Sequence, residues 1–407
     1  MKSIAQLILL IPFLIAVPAF AQMGHPDSLR NYQVRASQTD PNISFELVQH
    51  QLWFNPDAPT KNELLVYMSG TFDNPNQTTL FPSLAANLGY HVLSLKYPNG
   101  KSAQSACKNS SDTSCFSKFR QEIITGSDLS SEIEVDTNDC ILNRLSKLLK
   151  YLGQTQAQEN WDTFYTGSKL NWDKFTLAGH SQGGGHAAIM AKDYKVKRVI
   201  MFASPNDYSS FYKKPANWTS DPSQTPALNY FAFGNQFDDI ADFGEQKEQW
   251  AKIGLPAYGD TINVRSAKGP FKGSHQLYTD ENTQGLSGNH NNMVRDDETA
   301  MVNGKPIYEE AWMYLLGVPF VPGSTSQSKI PKPLVYPNPA SGMVHFRFTN
   351  SKLKELSILN LNGKSILPSV VSNDIELNIE ISSLASGIYI YQTKQWTGSS
   401  FGTLVVE

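Results

Sequence analysis

Phe175-Thr176-Leu177-Ala178-Gly179-His180-Ser181-Gln182-Gly183-Gly184-Gly185-His186-Ala187-Ala188-Ile189-Met190 is the stretch that decides the reading of this chain. Residues 175–178 form a short apolar run with strand character, and the glycines that follow open a helix rich in small residues. Between them, Gly179-x-Ser181-x-Gly183 puts a serine on a tight strand-to-helix turn. Glycine neighbours permit the strained backbone such a turn needs and leave the hydroxyl exposed. The helix N-terminus favours negative charge developing beside it. Ser181 is therefore the expected nucleophile.

Strands and helices alternate on both sides of this turn. Residues 64–70 read as a buried strand, 80–88 as an amphipathic helix and 91–97 as a second strand, with a β-like stretch at 43–53 before them. A polar excursion at 98–139 interrupts the pattern, and residues 141–152 resume it with apolar side chains at helical spacing. Further strands are expected at 199–202, 230–233 and 261–264, and a closing helix at 308–316. Such alternation implies an α/β fold with a mostly parallel sheet.

A serine on this kind of turn works with an acid and a histidine that follow it in chain order. Asp238, in the loop after the expected strand 230–233, has the best spacing to the following apolar residue. Asp239 beside it and Asp207 after the preceding strand are alternatives. The base candidates are His290 and His275, both placed between the last expected strand and the closing helix. His180 and His186 flank the serine and are read as packing residues. Two backbone N–H groups must hold the oxyanion, one from Gln182 and one from the turn Gly70-Thr71-Phe72, through Thr71 or Phe72.

Bulk properties narrow the function classes. The 407 residues carry 34 Lys and Arg against 37 Asp and Glu, a formal net charge of −3. With no long basic run, nucleic acid is not expected as a partner. Met1-Lys2, an apolar run at 7–17 and Ala19-Phe20-Ala21 read as a signal peptide over residues 1–21. No later segment has the length and apolarity of a membrane span, so no transmembrane segment is expected in the exported protein. Three cysteines leave a disulfide possible outside the cytoplasm. Cys107 and Cys115 bracket a short polar loop and are the expected pair, while Cys140 opens an apolar helix and should pack as a small hydrophobe. No Cys-x-x-Cys with a matching histidine pair appears, so zinc is not expected.

Residues 322–333 are rich in Ser, Thr, Lys and Pro and read as a linker between a domain at 22–321 and a second at 334–407. The second domain shows short alternating strands and an Asn362-Gly363 hairpin turn, which suit a small all-β, immunoglobulin-like sandwich. Val335-Tyr336-Pro337-Asn338-Pro339-Ala340, residues 356–366 and Leu384-Ala385-Ser386-Gly387-Ile388-Tyr389 resemble, in order, the C-terminal sorting domain of bacterial type IX secretion. That resemblance implies the secretion machinery as a partner and a secreted or surface-attached location. A carbohydrate-binding or adhesion sandwich is the rival reading.

Residues 64–316 resemble a family of bacterial secreted α/β hydrolases with little-defined substrates. The likeness rests on Phe119-Arg120-Gln121-Glu122-Ile123-Ile124-Thr125-Gly126, the helix at 141–152, Gly179 to Ala187, and Ser274-His275 with His290-Asn291. The phrase from His290 to Val294 also resembles the histidine loop of several secreted esterases. The resemblance implies an α/β-hydrolase fold and cofactor-independent serine hydrolysis of an ester-bearing substrate. A peptidase or amidase with the same triad, and a non-catalytic surface-binding or adhesion protein on the same fold, are the competing expectations.

Overall fold

The structure, a computed structural model, describes residues 23, 25–45, 48–319, 333–348, 353–360, 365–367, 370, 375–395 and 398–407. The signal peptide at 1–21, nearly all of the 322–333 linker and the Asn362-Gly363 turn lie outside the described residues. The chain divides into two compact units, residues 1–320 and 321–407.

The first unit is built on a nine-stranded mixed sheet. Its spatial order is Arg30–Arg35, Gln49–Phe54, His91–Leu95, Leu64–Met68, Phe175–His180, Arg198–Phe202, Tyr230–Asn235, Gln276–Thr279 and Ile262–Asn263. The first two strands join antiparallel at one edge and the other seven run parallel. Leu64–Met68 and Phe175–His180 are buried at every position. That burial on both faces is why they read as continuous apolar runs rather than alternating ones.

Helices cover both faces. Ile141–Thr155 starts at Cys140, whose sulfur accepts from Asn143 N, and it buries Ile141, Leu145, Leu148, Leu149 and Leu152 along one stripe. Leu80–Asn87 and the short Glu309–Leu315 pack on the opposite side with Phe81 and Trp312, whose rings meet edge to face. The polar excursion contains Ala103–Cys107 and Cys115–Thr125, and a Cys107–Cys115 disulfide joins these two helices. Cys140 is free and buried.

Two strands of this sheet escaped the sequence pattern, the edge strand Arg30–Arg35 and an inner one near the other edge. Gln276–Thr279 lies between Tyr230–Asn235 and Ile262–Asn263, so a strand follows His275 where a loop was expected. Its polar residues are buried and satisfied locally: Gln276 donates to the Gly259 carbonyl and Thr279 pairs with the Tyr308 hydroxyl. Hydropathy therefore carried no trace of it.

The second unit has two three-stranded antiparallel sheets. One contains Leu334–Tyr336, Met343–Arg347 and Glu376–Glu380, and the other Leu353–Leu359, Gly387–Gln395 and Gly398–Val406. Val344 and Phe346 from the first share a buried core with Ile358, Tyr391 and Leu404 from the second.

Candidate active site

Ser181 sits between the strand Phe175–His180 and the helix Gln182–Asp193, at φ 52° and ψ −119°. A non-glycine residue there is strained by about 1–3 kcal/mol, so its neighbours must hold it. Ser181 N–H donates to the Phe202 carbonyl at 2.8 Å, and Gly185 N–H donates to the Ser181 carbonyl at 3.1 Å. The glycines make the turn sterically possible. A Cβ on Gly183 would lie 2.0 Å from the Met68 carbonyl oxygen, and one on Gly184 would lie 2.0 Å from Ser204 Oγ.

Asp238 follows the C-terminal end of Tyr230–Asn235, and His290 lies in the helical turn Gly288–Asn291. His290 Nδ1 meets both carboxylate oxygens of Asp238, at 2.9 and 2.8 Å. The Asp238 side chain is sealed from solvent and the His290 side chain is 5% exposed. Ile240 N–H, Ala241 N–H and Gln246 Nε2 also donate to this carboxylate. Burial works against its ionisation, but the His290 charge and hydrogen bond and the two backbone donors prevail and hold it below the usual carboxylate range. Among the described residues neither Ser181 Oγ nor His290 Nε2 makes a hydrogen bond, so the serine and the histidine are not bonded to one another in this structure.

The other candidates are engaged elsewhere. Asp207 forms a fully buried ion pair with Arg120, at 2.6 and 2.5 Å, and also accepts from Trp218 Nε1. Asp239 is exposed. His275 precedes Gln276–Thr279 and so sits at the N-terminal ends of the parallel strands, whereas Ser181 and Asp238 lie beyond C-terminal ends. There it is stacked between Phe231 and Tyr258, with Nδ1 paired to the Tyr230 carbonyl. The extra strand is what places it at the opposite end of the strands from Ser181 and Asp238.

The turn Gly70-Thr71-Phe72 lies against the serine, since a Cβ on Gly70 would be 3.4 Å from Ser181 Cβ. Phe72 N–H is taken by the Asn99 carbonyl at 2.9 Å. The N–H groups of Thr71 and Gln182 have no acceptor among the described residues, so these two are the available donors. The Gln182 side chain is pinned by Ala103 N–H at 2.8 Å and by its own donation to the Lys101 carbonyl at 2.9 Å. Arg120 Nη1 holds the Gln182 carbonyl at 2.9 Å. The beginning of the polar excursion thus fixes the residue after the serine.

His180, read as a packing residue, belongs to the site's framework. Its Nε2 pairs with the His290 carbonyl at 2.8 Å, and the two imidazole centroids are 4.8 Å apart. Its Nδ1 faces Asp73 Oδ2 at 3.8 Å, and Arg295, five residues past His290, grips the other oxygen of Asp73 at 3.0 Å. Burial depresses the His180 pKa. Burial opposes the ionisation of Asp73, but His180, Arg295 and His290 outweigh it and keep that carboxyl low. The signal for this network is Asp73, three residues after Gly70, which means nothing until the loops meet. His186 is fully buried edge-on to Tyr97.

Among the described residues no group of three His, Cys, Asp or Glu side chains could hold a metal ion. No described helix is long and apolar enough to cross a membrane. No curated protein matches the chain. Residues 334–407 match the secretion system C-terminal sorting domain, which marks the protein for export by the type IX system and attachment to the cell surface.

Proposed function

We propose that residues 22–321 form an α/β-hydrolase domain and hydrolyse a carboxylic ester through Ser181, His290 and Asp238. The observation that carries this reading is the doubly contacted, buried His290–Asp238 pair on the loops beside a serine with strained backbone. In the proposed cycle His290 Nε2 accepts the Ser181 hydroxyl proton as Oγ attacks the ester carbonyl. Asp238 keeps the other imidazole proton on Nδ1 and stabilises the imidazolium. The N–H groups of Thr71 and Gln182 receive the developing oxyanion. The alcohol leaves with the proton from His290, and water then releases the acid from the acyl-enzyme.

The two antiparallel sheets with a shared core support an immunoglobulin-like sandwich for residues 334–407. A fluorophosphonate probe tests the catalytic reading, with labelling of the wild-type protein and none of Ser181→Ala expected. Ester hydrolysis that survives Ser181→Ala or His290→Ala refutes it.

A further inference from the structure

Four large apolar side chains stand in solvent on the three loops that carry the proposed machinery. Phe72, on the oxyanion turn, is 73% exposed; Phe237 and Ile240, on either side of Asp238, are 45% and 55% exposed; Leu286, four residues before His290, is 98% exposed. The same unit buries Trp53, Trp161, Trp250 and Trp312 almost completely, so its core does not lack room for apolar groups. Single exposed hydrophobes need no explanation, but several converging on one set of loops do. Phe72 is the clearest case. Its φ is 66°, a region where Gly or Asn is the unstrained choice, and its N–H is fixed by Asn99, so the backbone holds a bulky ring outward.

The charges on these loops point the same way. In the stretches 70–74, 236–242 and 280–298, Arg295 is the one Lys or Arg, and both Asp73 and Asp297 engage it. Asp239 and Glu298 lie near enough to influence one another; burial and the charges of Asp297 and Asp239 push the Glu298 carboxyl up. Asp280 and Glu281 pair with Arg265, and Arg295 is held by Asp73 and Asp297, so these loops offer an anionic substrate no unpaired cation as an anchor.

We infer that the substrate is an uncharged ester with an extended apolar chain, which lies across Phe72, Phe237, Ile240 and Leu286 while its carbonyl reaches Ser181. This inference rests on the hydrolase reading and adds the substrate class to it. Covering these side chains removes apolar surface from water in the bound complex, so selectivity should rise with chain length.

The test uses the full-length secreted protein with p-nitrophenyl acetate, p-nitrophenyl octanoate and emulsified tricaprylin, and a Phe237→Ser, Ile240→Ser, Leu286→Ser variant whose folding is checked by its melting temperature. The expected result is kcat/KM at least tenfold higher for octanoate than for acetate, with that ratio reduced at least tenfold in the variant. A parallel loss on tricaprylin assigns the chain to a lipid surface, and a loss confined to dissolved octanoate assigns it to solution; both support the inference. Ser181-dependent acetate hydrolysis with no octanoate preference, or a ratio the variant leaves unchanged, overturns the substrate class and leaves the hydrolase reading standing. A wild-type protein inert to both esters and to fluorophosphonate sinks the two together.

Discussion

Asp238→Asn is the substitution from which the geometry predicts most. Oδ1 of Asp238 accepts from Ile240 N–H at 3.0 Å and Ala241 N–H at 2.8 Å, and neither backbone donor can turn away. The asparagine oxygen must stay there, which puts its NH2 group where Oδ2 now faces Gln246 Nε2 at 2.9 Å and His290 Nδ1 at 2.8 Å. Two donors then confront a donor. Gln246 could turn its oxygen inward only by giving up its 2.8 Å bond to the Ala241 carbonyl. His290 can keep its Nδ1 proton only on the asparagine oxygen, 2.9 Å away and already shared with two backbone donors, while the NH2 group opposes it from the other side; moving the proton to Nε2 lets Nδ1 accept from that NH2, and that tautomer cannot take the proton of Ser181.

Wrong-tautomer substitution in serine hydrolase triads lowers kcat by about 10⁴-fold, roughly 5.5 kcal/mol in barrier. The displaced Gln246 contact should cost a further ~1–3 kcal/mol of stability. The assay is kcat for ester hydrolysis alongside the melting temperature, with exposed Asp239→Asn as the comparison. A variant within tenfold of wild type, or an equal loss in Asp239→Asn, refutes the assignment of Asp238.

Removing the His180 donor to the His290 carbonyl by His180→Ala should lower kcat roughly tenfold, the equivalent of one hydrogen bond of ~1.4 kcal/mol; His180→Gln, which keeps a donor, should recover part of it, and no loss in either variant would remove His180 from the framework. Arg120→Leu strands the buried Asp207 carboxylate and should cost ~3–5 kcal/mol of stability in chemical denaturation, whereas a triad role for Asp207 predicts that Asp207→Asn abolishes kcat in protein that is still folded. Burial holds His275 at about 4, below the ordinary 6.5. Above pH 6.5 folded and unfolded chains are both neutral there, and between 6.5 and 4 only the unfolded chain takes up the proton. Stability therefore falls as pH falls through that window, and His275→Phe should flatten that part of the melting-temperature profile; an unaltered slope contradicts this. The Cys107–Cys115 bridge closes a sequence separation of 8, which on the chain-entropy argument is worth about 2.5 kcal/mol; Cys107→Ser with Cys115→Ser should lower the melting temperature by roughly 4 °C, and no change would show that the loop is held without it.

What the sequence made legible was local. Strands buried on both faces read as apolar runs, the Gly-rich turn announced a strand-to-helix elbow, and chain order singled out an acid and a histidine, Asp238 and His290, that the fold joins by hydrogen bonds. What it concealed depends on residues meeting across long separations. Arg120 and Asp207 are 87 positions apart and both fully buried, yet each lies in a polar stretch that hydropathy assigns to the surface. Glu122 likewise reads as a surface charge, although it gathers the N–H groups of Leu129, Ser130 and Val135 and folds the excursion onto its own helix. The resemblance phrase from Phe119 to Gly126 is thus architectural in this structure, and a motif scan has no means of separating such residues from chemical ones.

That architecture bears directly on Ser181. A strained backbone persists only where its surroundings over-determine it, and here each neighbour of the serine is fixed from a different direction. Phe202 holds its N–H, and the Gly183 and Gly184 backbones press onto Met68 and Ser204. The Gly185 backbone presses onto Arg120, whose guanidinium would lie 2.3 Å from an added Cβ there. Arg120 also takes the Gln182 carbonyl and is itself locked by Asp207. A positive charge clamped under the first turn of the helix holds Gln182 in place, and Gln182 carries one of the two unpaired N–H groups beside the serine. The polar excursion therefore acts as a brace for the elbow, and the three glycines that looked like a flexible turn are the points where the brace, the sheet and the helix touch.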